Sequence, residues 1–189
     1  MEVATEAIND AITGYGGLFD PATNSDELRH ALESLLESGL SRPPTPEPAG
    51  DAFIIYVDGS SRGNPGPAGA AAVIMDTTED PLARLGRPVG SRTGNNTAEY
   101  VALQLGLSEL LTRYEPRSLE VRIDSMTVIR DVWGGEDPTE PGVETYSRAV
   151  AAAISSVPEH RYTHLADSDP NPADALATVG ADIAALGPG

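Results

Sequence analysis

Three β-rich runs follow one another between residues 51 and 91 with no helix between them, and this stretch constrains the fold more than any other. DAFIIYVDGS, GPAGAAAVIMD and ARLGRPVGS are each apolar enough to be strands, and the turn-like TTEDP separates the second from the third. After them the periodicity changes. Residues 96–113 carry a helical stripe, SLEVRIDS alternates with Leu119, Val121 and Ile123 on one face, and 125–133 is a short helical stretch. The loop GGEDPTEPG leads to an alanine-rich helix at 143–155, RYTHLA reads as the last strand, and the final helix opens with Asn171 as N-cap and Pro172 at its first position. The order βββαβααβα predicts an α/β domain: a mixed sheet whose first three strands form an antiparallel meander, flanked by helices.

The segment before residue 51 is of a different kind. Ala4, Ile8, Ala11, Ile12 and Tyr15 fall at helical spacing until Gly14, Gly16 and Gly17 break the pattern. Asn24, with Glu27 three residues on, then caps a stripe of Leu28, Ala31, Leu32, Leu35 and Leu36 that Gly39 stops. SRPPTPEPAG, residues 41–50, has four prolines and reads as a stiff linker. The expected organisation is a small acidic helical extension at 1–40, the linker at 41–50 and the main domain at 51–189. The leucine stripe must bury somewhere, against its own partner helix or on another protein, so a docking or solubility role for 1–40 is as reasonable as a substrate role.

Charge excludes less than it first suggests. The 189 residues carry a net charge of −17, and all 12 basic residues are arginine. Such a surface repels phosphate, and neutralisation by cations supplies much of the affinity of ordinary nucleic-acid binders. In molar salt, however, the Debye length falls to about 3 Å and the repulsion is screened. Lysine loss combined with acid excess resembles the proteins of extreme halophiles. There is no cysteine, hence no disulfide framework and no thiolate ligand or nucleophile. The first ten residues lack a signal pattern, and no apolar run is long enough to span a bilayer, so the expected location is the cytoplasm and no membrane partner is expected.

Four acids stand where a purely structural role is awkward. Asp58 and Asp124 close strand-like runs beside glycine or serine, where open sheets expose functional side chains, although turn-forming aspartates look the same. Glu99 shares the apolar face of its helix with Ala102, Leu103, Gly106 and Leu110, and a carboxylate there is costly unless paired or bound to a metal. Asp174 lies in the first turn of the last helix, which by itself fits a helix-dipole acid. A set of four carboxylates without cysteine suits hard, oxygen-loving cations, magnesium or manganese.

The blocks holding these acids resemble those of type 1 ribonucleases H: YVDGSSRGNPGPAGAAAVI, GNNTAEYVALQLGL, VRIDSMTVI and PADALA, in the family's order over residues 52–185. The resemblance implies a five-stranded mixed sheet with strands 1–3 antiparallel. It also implies metal-dependent endonucleolytic cleavage of the RNA strand of RNA–DNA hybrids, leaving 5′-phosphate and 3′-hydroxyl ends. By that match Asp58 would bridge two Mg2+ or Mn2+ ions, Glu99 and Asp124 would hold one, and Asp174 the other. Glu99 would also sense a ribose 2′-hydroxyl, the group that distinguishes RNA from DNA. Gly59, Ser60, Ser61 and Asn64 match loop positions that approach the hybrid backbone, and Asn95, Asn96 and Met126 match minor-groove contacts. Gly63, Asn64 and Gly66 equally serve to build a turn. Arg62 reads as a phosphate contact or as a solvated arginine.

Three departures bear on function. The segment WGGEDPTEPG is acidic where some members carry a basic handle. ADSDPNPAD has acid where short-loop members read Arg-Glu-x-Asn, leaving Asp167 and Asp169 as loop acids or metal-site neighbours. His164 lies ten residues before Asp174, the spacing of a mobile histidine that assists some members, but it also reads as a strand end. The non-enzymatic alternative is a catalytically silent hybrid-binding or scaffold protein on the same fold.

Overall fold

The computed structural model describes residues 45–135, 138, 142–166 and 168–186. The expected helical unit at 1–40, Asp167 and parts of the linker and of the acidic 134–142 loop lie outside the described residues. The elements are β1 (Ala52–Ser61), β2 (Gly66–Asp76), β3 (Pro81–Thr93), α1 (Asn95–Arg113), β4 (Ser118–Ile123), α2 (Met126–Trp133), α3 (Glu144–Ser155), β5 (Glu159–His164) and α4 (Asp174–Leu186). They form one five-stranded sheet in the order β3-β2-β1-β4-β5. β1–β2 and β2–β3 pair antiparallel, whereas β1–β4 and β4–β5 pair parallel. The meander and the mixed sheet are as the strand order predicts. No described helix is long and apolar enough to cross a membrane.

Strand alternation divides the interior in two. Phe53, Ile55 and Val57 of β1, Leu119, Val121 and Ile123 of β4, and Ala70, Ala72 and Ile74 of β2 face one way. There they pack with Tyr100, Leu103, Leu107 and Leu110 of α1, Val128 and Ile129 of α2, and Val150 and Ile154 of α3. The opposite face of β2, Ala71 and Val73, packs on Ala173 and Ala177 at the α4 end.

That second layer is held by closeness rather than bulk. A Cβ on Gly180 would lie 2.6 Å from the Arg87 carbonyl oxygen and 3.1 Å from Gly69 Cα. Both obstacles are backbone, which cannot swing aside. Glycine is costly inside a helix by about 1 kcal/mol relative to alanine, so its presence here reflects the packing. We expect Gly180→Leu to lower the unfolding free energy by about 2 kcal/mol or more, because overpacking outweighs the helix-propensity gain. Denaturant titration checks this, and an unchanged midpoint would show that α4 does not sit this close to β2.

Boundaries shift from expectation by one or two residues at several elements, β3, β5 and α4 among them. β3 extends beyond residues 83–91 to Pro81–Thr93, and its ladder with β2 has register shifts between Gly66 and Ala68, Ala68 and Gly69, and Ile74 and Met75. Pro88 stands opposite Gly69 in this outer strand. β5 starts at Glu159 and ends at His164, two residues earlier at both ends than RYTHLA; all six residues are exposed, so no alternation marked it. α4 begins at Asp174, not Pro172, because Asn171–Asp174 forms a preceding turn in which the Asp174 N–H donates to the Asn171 carbonyl.

Candidate active site

The site sits where β1 and β4 separate. Their parallel ladder ends at Tyr56 and Arg122, each two residues before an acid. Asp124 directly follows β4, as expected of a strand-end residue. Asp58 does not end its strand: β1 continues to Ser61, with Asp58 opposite Ala71 of β2. It is the pairing with β4 that stops before Asp58, and this opens one side of the strand.

α1 brings the third carboxylate. Gly59 permits this, since a Cβ there would lie 2.5 Å from the Glu99 nitrogen and 2.7 Å from the Ala98 carbonyl carbon. The start of α1 therefore rests against the β1 backbone. Ligand oxygens of Asp58, Glu99 and Asp124 all fall within 4.8 Å of one another. Asp58 is 8% exposed and Glu99 only 3%, while Asp124 is exposed. Asp174, exposed at the start of α4, lies outside this trio but close enough to act on Asp58 electrostatically.

Burial and like charge dominate the electrostatics. Desolvation pushes the Asp58 carboxyl up from 3.8 to about 7, with repulsion from Asp124 and then Asp174 adding to it. Glu99 is held well above the ordinary range, first by burial and then by Asp124 and Asp58. Hydrogen bonds from the Gly59 N–H and the Asn95 side chain oppose the rise. The Glu99 Oε2 atom is buried and has no hydrogen-bond partner. Three clustered oxygen donors, two of them raised by burial and then by neighbouring acids, and one orphaned buried oxygen fit a divalent cation, which would supply the missing partner and positive charge.

The loop residues are knit to each other. Ser61 Oγ donates to Asn95 Oδ1 (3.2 Å), and the Asn95 N–H donates to Asn64 Oδ1 (3.3 Å). These bonds fix the β1–β2 turn, with its cis Asn64–Pro65 peptide and Gly63 at φ 108°, onto the α1 terminus. Ser60 and Asn96 flank the same two segments, partly buried. Met126 opens α2 and is 46% exposed beside Asp124.

Of the residues with two readings, Arg62 is half exposed and pairs with Asp182 of α4 through Nε (2.9 Å) and Nη2 (2.6 Å). Asp169 accepts from the Ala166 N–H at 2.8 Å and serves as a turn residue. His164 ends β5, and its Nε2 lies 3.2 Å from the Asp124 carbonyl oxygen. Two side chains did more than their sequence signal promised. Ser125 caps α2 by accepting from the Val128 N–H, and Asn171, expected only as a cap, also donates from Nδ2 to the Val57 carbonyl at 2.9 Å. A cavity of about 650 Å³ lined by Asp51, Tyr114, Arg117 and Pro158 lies at the other end of β1 and β4, away from the carboxylates.

Comparison with known proteins agrees with this geometry. The family model described as reverse transcriptase-like matches residues 56–180. The chain is 33% identical to the ribonuclease HI of Halobacterium salinarum, over 97% of this chain and 98% of that protein. Among solved structures it is similar to the amino-terminal RNase H domain of Rv2228c from Mycobacterium tuberculosis, with 31% identity and a TM-score of 0.67, covering 72% of this chain and 97% of that one. It is also similar to LC11-RNase H1 solved in complex with an RNA/DNA hybrid, with 32% identity and a TM-score of 0.63, covering 70% and 98%.

Proposed function

The chain belongs to the ribonuclease HI family, and from that premise we propose that it is a metal-dependent endonuclease that hydrolyses the RNA strand of RNA–DNA hybrids. The observation that carries the proposal is the buried, unpartnered Glu99 oxygen inside a cluster of three carboxylates. Asp58, Glu99, Asp124 and Asp174 are the residues that would hold two Mg2+ or Mn2+ ions. Such ions supply Lewis acidity and concentrated positive charge for in-line displacement at phosphorus.

The chain's own residues divide that work. Asp58 feels both Asp124 and Asp174, whereas Glu99 feels Asp124 and Asp58. This supports Asp58 as the carboxylate shared between two positions, with Glu99 and Asp124 on one side and Asp174 on the other. Gly59 and Asn95 hydrogen-bond to Glu99 and orient it, and Glu99 would also be the carboxylate that reads a ribose 2′-hydroxyl. Asn95, Asn96 and Met126 would meet the minor groove, and Gly59, Ser60, Ser61 and Asn64 the hybrid backbone. Water adds to the scissile phosphorus as the bond to the 3′-oxygen breaks, so the products carry 5′-phosphate and 3′-hydroxyl ends. His164 is the auxiliary candidate, placed against the Asp124 backbone. Primer and R-loop removal in the cytoplasm is the biological use this activity fits.

The test is cleavage of an end-labelled hybrid in molar salt with magnesium or manganese, beside an all-DNA duplex. We expect internal cuts in the RNA strand alone, with 5′-phosphate ends and no cleavage in chelator. Tight hybrid binding without any turnover would instead identify a silent hybrid-binding or scaffold protein.

A further inference from the structure

We infer that Asn171 is a positioning residue that sets the separation of Asp58 and Asp174 and thereby the affinity of the cation position they share. The inference rests on the four-carboxylate reading above. Asn171 lies three residues before Asp174, in the turn that leads into α4. Its two amide ends do different things. Oδ1 accepts from the Ala173 N–H at 3.0 Å, a local cap within the turn. Nδ2 donates at 2.9 Å to the carbonyl of Val57, which is 114 residues away in sequence and directly precedes Asp58. One partner is a donor and the other an acceptor, so the amide orientation is fixed by its surroundings.

The location gives the second bond its meaning. Val57 is the first β1 residue past the end of the β1–β4 ladder, which stops at Tyr56. Where the strands diverge to open the site, Asn171 bonds to the β1 backbone and carries the Asp174 turn with it. Asp58 and Asp174 repel one another, and Asp174 is exposed on the first turn of its helix. Without a tie the turn would relax outward. Ala173 and Ala177 pack on β2 and the Gly69–Gly180 crossing anchors α4 further along, but the Asn171 bond is what ties this turn to the β1 backbone that carries Asp58. Capping alone does not require asparagine, because serine and aspartate cap as well. Spanning to the Val57 carbonyl while still capping requires an amide of this length.

Asn171→Ser keeps a cap acceptor but cannot reach Val57, and Asn171→Asp keeps the size but turns an acceptor toward an acceptor. Titration of the full chain with Mn2+, followed by calorimetry and by the electron paramagnetic resonance of free Mn2+, measures each cation position without turnover. For both variants we expect the position shared by Asp58 and Asp174 to lose about tenfold or more in affinity, the range seen when residues supporting metal ligands are removed. The other position and the unfolding midpoint in chelator should stay near wild type. In cleavage assays the half-saturating metal concentration should rise by the same factor, with KM for the hybrid unchanged and kcat recovered at high metal. Asp174→Asn is the control. If it weakens the shared position and Asn171→Ser and Asn171→Asp do not, the positioning role is overturned. If Asp174→Asn also leaves Mn2+ binding intact, the four-carboxylate reading itself has failed. Equal loss at both positions together with a lowered midpoint would reduce Asn171 to a structural cap and overturn the inference as well.

Discussion

Asp58→Asn and Asp124→Asn should each lower hybrid cleavage by about 10³-fold or more while the fold survives, the loss expected if a charged group that organises cations at phosphorus is removed. For Asp58 the stability change should run opposite to the activity change. Burial and the neighbouring acids raise its carboxyl from 3.8 to about 7 in the folded protein. The folded state then binds the proton more tightly than the unfolded chain does. The stability linked to that proton is fully present below pH 3.8 and is lost as pH rises through about 7. At neutral pH and without metal, the native carboxylate is therefore a liability with a ceiling of about 4 kcal/mol, which sharing of charge within the cluster reduces. A neutral amide lacks that liability, so in chelator Asp58→Asn should melt higher than wild type, with a flatter dependence on pH between 4 and 7. Excess divalent ion should narrow or reverse the difference. Thermal melts across that pH range, with and without metal, check the sign. A variant that keeps near-normal turnover sinks the assignment of Asp58 to the metal site.

Salt should act as strongly on the whole molecule. The chain carries a net charge of −17, folding brings acids closer together, and the hybrid is a polyanion as well. From tens of millimolar to molar monovalent salt the Debye length shrinks from more than 10 Å to about 3 Å. Screening also weakens favourable pairs such as Arg62–Asp182, whose side chains are 49% and 56% exposed. Exposed pairs of that kind are worth about 0–1 kcal/mol, so relief of general self-repulsion wins. Molar salt should raise the unfolding midpoint by roughly 10 °C, corresponding to a few kcal/mol for a chain of this length. Initial cleavage rates should rise over the same range at fixed, saturating divalent metal. Ordinary nucleic-acid binders do the opposite, because counterion release favours low salt. Maximal stability and rate at low salt would refute adaptation to salt and leave the ribonuclease reading standing.

Much of this was legible from residues alone because the relevant signals are local. Alternation at SLEVRI and the apolar run FIIYV mark β4 and β1, and the misplaced charge of Glu99 on an apolar stripe pointed to a partner of unusual kind. What stayed hidden was long-range. Nothing in DGSS says that β1 outruns its pairing with β4, because that depends on where β4 turns away. The second bond of Asn171 spans 114 residues and leaves no periodic trace. β5 could not be bounded because all its side chains are exposed. The pairing of Arg62 left no sequence signal because its partner, Asp182, is 120 residues away.

The outer strand β3 has a consequence that belongs to the medium rather than to the reaction. An unpaired strand edge is a template for another copy's backbone, and most proteins guard it with charge. In concentrated brine, charge guards poorly, since the screening expected to stabilise this acidic chain would also let copies approach. β3 carries Arg84, Arg87 and Arg92 on its exposed positions, but it also has Pro81 and Pro88, which lack the N–H a neighbouring strand would need. Its ladder shifts register three times, so the edge is not a straight row of donors and acceptors. These guards are covalent and geometric, and they work at any ionic strength. Among the described residues, the guards on this edge are thus ones that salt does not weaken.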